Sequence, residues 1–345
     1  MGAVDHNLDP TSEVARSLLG GEIDSIRAVG GGRNSRVYRV ERAGQTYALK
    51  QYPSRSEDPR DRLGTEAAAL GLMERHGIGR VPRLMAVDRE RGFALLTWLD
   101  GVPITVVDEA DIDAAAAFLA VLHALRGTGE FASDHLASEA CLSGAEIVRQ
   151  IETRLARLRT APKEEAGMHA FLDGSFTPIF DEVINRINML REPTGIDLEA
   201  FLPPDRRSLV PSDFGFHNSL RTFDGSLLFL DFEYFGWDDP VKMTADIMLH
   251  PGTALAPSLR RRFRAAAEQL YGADPWFQRR LTAYYPLFGL RWVLILLNDF
   301  VPNRWRRELV GAAESWEALK QEQLSKARLF LDRVRSEHDG RVHDE

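Results

Sequence analysis

The spacing of apolar residues changes at Asp100-Gly101, and that change restricts the chain to folds built from two unlike halves. Upstream, alternation dominates. Val37, Val40, Tyr47 and Leu49 lie in segments rich in β-branched and aromatic residues, broken by a turn at Ala43-Gly44. Val81–Val87 and Gly92–Trp98 alternate in the same way. One helix interrupts them: Leu63, Ala67, Leu70 and Met73 share a face between Arg60 and His76, and Gly77 and Gly79 stop it. Downstream the texture is helical over Asp111–Leu125, about 144–160, about 166–191, and from Ser258 to about His338. Two short apolar runs, Ser208–Pro211 and Leu227–Phe232, form a strand-loop-strand insert. Residues 1–20 read as a polar lead-in with an amphipathic turn around Val14, Leu18 and Leu19. The expectation is an α+β fold with a small β-rich lobe over residues 1–101 and a mainly helical lobe over 102–345.

Composition narrows the function classes. The 345 residues are 44% hydrophobic, enough for two domains at about 150 residues each. With 43 basic against 51 acidic side chains the net charge is −8, and no Lys/Arg block stands out, so a nucleic-acid partner is not expected. A single cysteine, Cys141, excludes an intrachain disulfide and any cysteine-cage metal site. The N-terminal MGAVDHNLDP is too acidic and polar for a secretory signal. Leu281–Val301 carries Pro286, Arg291, Asn298 and Asp299, and its unbroken apolar core is only Trp292–Leu297. A spanning helix needs about 20 apolar residues, so this stretch reads as a buried helix. These features predict a cytoplasmic protein without a membrane partner, monomeric or homodimeric.

Three groups of residues can carry chemistry. Asp213 is followed five positions later by Asn218 on the loop between the two apolar runs, and Asp231-Phe232-Glu233 ends the second run. On paired strand ends these groups can converge, Asp213 to accept a hydroxyl proton and Asn218 with Asp231 to offer hard oxygens to Mg²⁺. A polar hairpin with Asx-turns accounts for the same residues. Gly30-Gly31-Gly32-Arg33-Asn34-Ser35 lets backbone N–H groups approach phosphate, or makes a flexible hairpin turn; no Gly-Lys-Ser/Thr closes it as in a Walker A loop. Lys50 ends a strand sixteen residues before Glu66, an arrangement that suits a phosphate-binding ammonium steadied by a carboxylate, or a surface lysine and a helix-face glutamate.

Taken in this order, the three groups resemble the aminoglycoside phosphotransferase/choline kinase family, relatives of the protein kinases. The resemblance covers roughly Ile23–Pro251, and the C-terminal helices more loosely. Asp213…Asn218 is similar to the family's catalytic loop, and Asp231-Phe-Glu-Tyr to its metal-binding segment, with Asp246 as a buried helix-start brace. Leu95-Leu-Thr-Trp-Leu-Asp-Gly101 is similar to its inter-lobe hinge. Two departures stand out: Pro211-Ser212 replaces the usual His-Gly pair, and Thr97 replaces a frequent hinge glutamate.

The resemblance implies a bilobed protein-kinase-like fold and a small-molecule kinase that uses ATP and Mg²⁺. Gly30, Gly31, Gly32, Asn34 and Ser35 would cover the phosphates, and Thr97 and Leu99 would meet the adenine. Lys50, held by Glu66, would neutralise phosphate charge. Asn218 and Asp231 would hold the metal, and Asp213 would act as the catalytic base. The acceptor would be a sugar, amino sugar or amino alcohol bound through the helical lobe. Glu233, Trp237, Asp238, Asp239 and Arg291 are the candidates for holding it, the acidic set with Trp237 suiting a cationic amine. For Arg291 a buried ion pair with a carboxylate such as Asp299 is the competing reading, and for Asp238 and Asp239 a turn and helix cap before Pro240. A kinase-fold enzyme acting on protein or RNA, and a non-catalytic nucleotide-binding regulator, are the alternative functions.

Overall fold

The computed structural model describes residues 8–29, 35–301 and 313–338. The chain divides into two compact units, Met1–Thr105 with Pro211–Gly236, and Val106–Val210 with Trp237–Glu345. The insert that carries Asp213 and Asp231 therefore groups with the N-terminal residues.

In the first unit, helix α1 (Leu8–Leu19) precedes strands β1 (Ser25–Val29), β2 (Arg36–Arg42) and β3 (Gln45–Gln51). Helix α2 (Arg62–Arg75) follows, then β4 (Leu84–Asp88), β5 (Phe93–Thr97) and the two-residue β6 (Val102–Pro103). β1 to β5 form an antiparallel sheet in the order β1-β2-β3-β5-β4. Period-two spacing accounts for it: Val40 and Leu49 are fully buried on one face and pack with Tyr38, Phe93 and Leu95. The β2–β3 turn falls at Ala43 and Gly44, both at positive φ (50° and 74°), the geometry of a tight hairpin. The N-terminal lead-in is a full helix rather than a single turn. Val14 and Ala15 are buried against the sheet, with Leu18 and Leu19 partly covered.

The second unit is helical. It contains α3 (Glu109–Ala124), α4 (Gly144–Arg159), α5 (Ala166–Phe171), a π-turn at Leu172–Phe176, α6 (Thr177–Met189) and the short α7 (Arg191–Thr194). After β7 (Ser208–Val210) the chain passes through the first unit as β8 (Ser219–Arg221) and β9 (Leu227–Phe229). It returns at β10 (Gly236–Asp238) and continues as α8 (Pro240–Leu249), α9 (Pro257–Leu270), α10 (Phe277–Leu296) and α11 (Ala313–His338). β7 and β9 do not pair with each other as the strand-loop-strand reading expected. β7 pairs with β10, while β9 joins β8 and β6 in a three-stranded sheet.

Phe277–Phe300 is long and apolar enough to cross a membrane by length and composition, but 61% of its most apolar window is buried inside the protein. Arg291 and Asp299 are among its buried residues. That is the pattern of a core helix, in which a buried charge is tolerated because it is paired.

Candidate active site

Lys50 lies on β3 opposite Ala94 of β5, and α2 places Glu66 beside it. The α2 helix is capped by Asp61, whose side chain accepts the Gly64 N–H, and Arg62, Glu66 and Met73 are among its buried residues. Lys50 Nζ donates to Glu66 Oε2 at 2.6 Å and to Asp231 Oδ1 at 2.7 Å, and stands 3.3 Å from Glu233 Oε2. Tyr52 donates its hydroxyl to the same Glu66 oxygen at 2.5 Å, and Glu66 Oε1 accepts the Phe232 N–H at 3.1 Å. Glu66 thus ties β3 to the backbone of the Asp231 segment.

The carboxylate atoms of Glu66, Asp231 and Glu233 all lie within 4.8 Å of one another. Burial would lower the Lys50 ammonium, but the charges of Asp231 and Glu66 hold it well above the ordinary lysine range. Burial pushes the Asp231 carboxyl up, to about 7, helped by the charges of Glu233 and Glu66 and opposed by Lys50. Asp231 also adopts a left-handed φ of 67°, a conformation costing a non-glycine residue about 1–3 kcal/mol.

Sequence reasoning passed over Asp58, Arg60 and Arg62. Arg62 donates to Glu233 Oε1 at 2.6 Å and through Nε to Asp58 Oδ2 at 2.9 Å. Arg60 also bonds Asp58, and against the upward push of burial these two guanidinium groups hold the Asp58 carboxyl well below its usual range. Both arginines stand about 5 Å from the Tyr234 ring, at 5.0 and 4.9 Å. The spacing Arg62-x3-Glu66 was a readable signal, since residues four apart share a helix face.

Asp213 and Asn218 are joined in one loop. Asn218 Nδ2 donates to the Asp213 carbonyl at 2.9 Å, which turns the amide oxygen away from that carbonyl. The Asn218 carbonyl accepts the Leu230 N–H at 2.9 Å, linking this loop to the residue before Asp231. Buried Phe214 packs on Phe229 and anchors the loop. The Asp213 carboxylate keeps 31% of its side chain exposed and stands 3.3 Å from His217 Nε2. The His217 ring lies across Gly215, where a Cβ would meet Nδ1 at 2.9 Å. Ser212, in place of the usual glycine, takes a left-handed φ of 67°.

The remaining sequence candidates fall into three groups. Gly30, Gly31, Gly32 and Asn34 lie outside the described residues, and Ser35 is buried at the start of β2. Thr97 and Leu99 are half-buried; the Thr97 N–H bonds the Arg83 carbonyl at 3.0 Å and its hydroxyl accepts the Arg83 N–H at 2.9 Å. Trp237, Asp238, Asp239 and Arg291 belong to the second unit, and all are buried with internal partners.

Trp237 Nε1 donates to the Ala132 carbonyl at 3.0 Å. Asp238 accepts the Cys141 and Asp239 N–H groups, both at 2.8 Å, and burial pushes its carboxyl up to about 6. Asp239 accepts the Val241 N–H at 2.9 Å as the cap of α8 and pairs with Arg280 at 2.9 Å. Arg291 does not pair with Asp299: its NH2 group donates to both oxygens of Asp246, at 2.7 and 2.8 Å. Asp246 is an interior residue of α8 rather than its start, and also takes Trp292 Nε1 at 2.8 Å and Lys242 at 3.2 Å.

Comparison with known proteins agrees with this architecture. The phosphotransferase enzyme family profile matches residues 25–282. A comparison with curated protein sequences gave no match. Among solved structures, choline kinase LicA from Streptococcus pneumoniae superposes with a TM-score of 0.57 at 16% identity, covering 94% of this chain and 100% of that one. The macrolide 2'-phosphotransferase MphH from Brachybacterium faecium gives 0.53 at 18% identity, covering 90% and 97%. The structure of a ternary complex of streptomycin, ATP and APH(2")-IIa gives 0.53 at 16% identity, covering 86% and 91%. At these identities the likeness fixes a kinase-like fold, and the profile, spanning most of the chain, fixes the family. The chain belongs to the phosphotransferase enzyme family and is a phosphotransferase.

Proposed function

We propose that the protein transfers the γ-phosphoryl group of ATP to a hydroxyl of a small molecule, a sugar, amino sugar or amino alcohol. The observation that carries this reading is Lys50 held at 2.6 and 2.7 Å by Glu66 and Asp231, a fixed ammonium beside a carboxylate that still reaches solvent with 24% of its side chain. Phosphoryl transfer asks the protein for positioning and charge neutralisation more than for covalent chemistry. Lys50 would neutralise phosphate oxygens. Asp213 would orient the acceptor hydroxyl and take its proton, while the Asn218 bond to its carbonyl keeps the loop in register.

The residues present fit Mg²⁺. Asp231 and Asn218 supply hard oxygen donors, and the Asn218 nitrogen is already committed to Asp213. When bound, the metal offsets charge on the β- and γ-oxygens. ATP supports the reading because the solved relatives include one whose structure is described with ATP.

The test is ATP consumption across amino alcohols, sugars and aminoglycosides, with mass spectrometry to detect the gain of one phosphoryl group. For an acceptor so identified, Asp213→Asn is expected to lower turnover by about 10²–10⁴-fold, the loss typical of a general base. The KM for ATP should stay near its original value. Undiminished turnover in that variant would remove Asp213 from the role of base.

A further inference from the structure

We infer that Arg62 is a positioning residue for Lys50. By neutralising Glu233, it keeps the Lys50 ammonium on Glu66 and Asp231. The inference rests on the reading that Lys50 meets nucleotide phosphates. Its ground is a surplus of negative charge. Three carboxylates, Glu66, Asp231 and Glu233, approach one ammonium, and Lys50 does not bond them equally. It sits at 2.6 Å from Glu66 and 2.7 Å from Asp231, but 3.3 Å from Glu233.

The third carboxylate has its own cation. Arg62 NH1 donates to Glu233 Oε1 at 2.6 Å, and the side chains are buried, 7% and 0% exposed. A fully buried carboxylate must find an opposite charge, because leaving it unpaired is strongly unfavourable. With Arg62 on Oε1, only Glu233 Oε2 is left to Lys50, at 3.3 Å and outside the hydrogen bonds of that ammonium. Without Arg62, Lys50 is the nearest remaining cation among the described residues, at 3.3 Å, and is drawn from the position that Glu66 and Asp231 define.

The arginine is built for this task. Asp58 accepts from Nε and NH2 of Arg62 and so leaves NH1 aimed at Glu233. A fork of this kind fixes direction in a way a lysine cannot. The Tyr234 ring, 4.9 Å from the guanidinium, closes its other side. Arg62 itself makes no contact with Lys50 or Asp231 among its bonds to Asp58 and Glu233, so its effect on the site passes through Glu233.

The experiment is a double-variant cycle read by calorimetric titration of ADP with excess Mg²⁺, alongside thermal melting of each protein. Wild type, Arg62→Met, Glu233→Gln and the double variant are compared. Residues in one ion-pair network couple strongly enough that Arg62→Met should weaken ADP by about tenfold. Glu233→Gln should stay within about threefold of wild type, and so should the double variant, although it still lacks Arg62, because no surplus charge remains to draw Lys50 away. A tenfold loss that persists in the double variant, or no loss in Arg62→Met, overturns the inference.

Should Arg62→Met fail to fold, Arg62→Lys carries the same question. It loses the directed fork but keeps a cation beside Glu233, and since the inference rests on that charge it is expected within about threefold of wild type, so a tenfold loss there overturns the inference as well. Wild type that binds no ADP would overturn the nucleotide reading of the site together with this one. Wild type that binds ADP while the cycle shows no coupling overturns the role of Arg62 alone.

Discussion

Replacing Asp231 by Asn should stabilise the nucleotide-free protein while removing its turnover. The side chain is surrounded by two other carboxylates, and Lys50 offsets only part of their repulsion. Burial with that repulsion lifts the carboxyl from an ordinary 3.8 to about 7. Because the folded-state value is raised, the proton is held more tightly in the native protein than in the unfolded chain. The associated stability is therefore complete below about 3.8 and lost as the pH rises through 7.

Each pH unit of that interval is worth about 1.4 kcal/mol, so the native protein forfeits at most about 4 kcal/mol by pH 8. Asn is neutral at every pH and keeps an oxygen to accept from Lys50, and the attraction of Lys50 for the ionised carboxylate is already included in the value of about 7. The net gain should then be at most about 4 kcal/mol at pH 8, or roughly 6 °C in Tm for a chain of this length. Differential scanning fluorimetry at pH 8 and pH 5 reads it directly. The gain should be largest at pH 8 and less than half as large at pH 5, where the folded carboxyl is protonated but the unfolded one is already ionised. A variant that melts at or below wild type at pH 8, or that gains equally at both pH values, would refute the charge argument.

Two further outcomes follow from the packing. Arg291→Met leaves Asp246 buried with Lys242 and the Trp292 indole alone, and breaking a buried pair of this kind costs about 3–5 kcal/mol, to be read as a large fall in Tm. Gly215→Ala puts a Cβ 2.9 Å from His217 Nδ1, so the imidazole must leave its place beside Asp213. Misplacement on that scale should lower kcat by about 10–100-fold with the KM for ATP nearly unchanged, and steady-state kinetics that show equal kcat would remove His217 from the positioning of Asp213.

What the sequence reveals of this protein follows from the range over which each signal acts. The β1–β5 sheet and α2 were legible because period two and period 3.6 are local and sustained over five or more residues. Strands β7, β8, β9 and β10 have three residues each, too few for any period, so their pairing could not be read and β7 was matched to the wrong neighbour. Helix α1 was underestimated because its apolar contribution rests on Val14, Ala15, Leu18 and Leu19 within an otherwise polar stretch.

Lys50 and Glu66 were readable as partners only through the family resemblance, since their spacing alone suited a surface lysine and a helix-face glutamate equally. The partner of Arg291 was not. Asp299 lies eight residues along, two helical turns or about 12 Å away on a straight helix, whereas Asp246 comes from α8 and reaches the guanidinium across the helix pair.

A motif also states which residue types gather without stating which of them meet water. Asp231 and Glu233 stand two residues apart and both approach Lys50, yet one keeps 24% of its side chain exposed and the other none. The difference comes from Arg62, 171 positions away, and from the left-handed backbone at Asp231, neither of which leaves a trace in the spacing Asp-x-Glu. The same division separates Asp213, partly open to solvent with its imidazole neighbour, from Asp238 and Asp239, which are buried among backbone N–H groups, Lys242 and Arg280. The acidic residues of these segments therefore divide into those that meet solvent and those that hold the chain in place. Burial separates the two classes, because an ion pair that excludes water commits its carboxylate to the protein and leaves little of it to bind anything else.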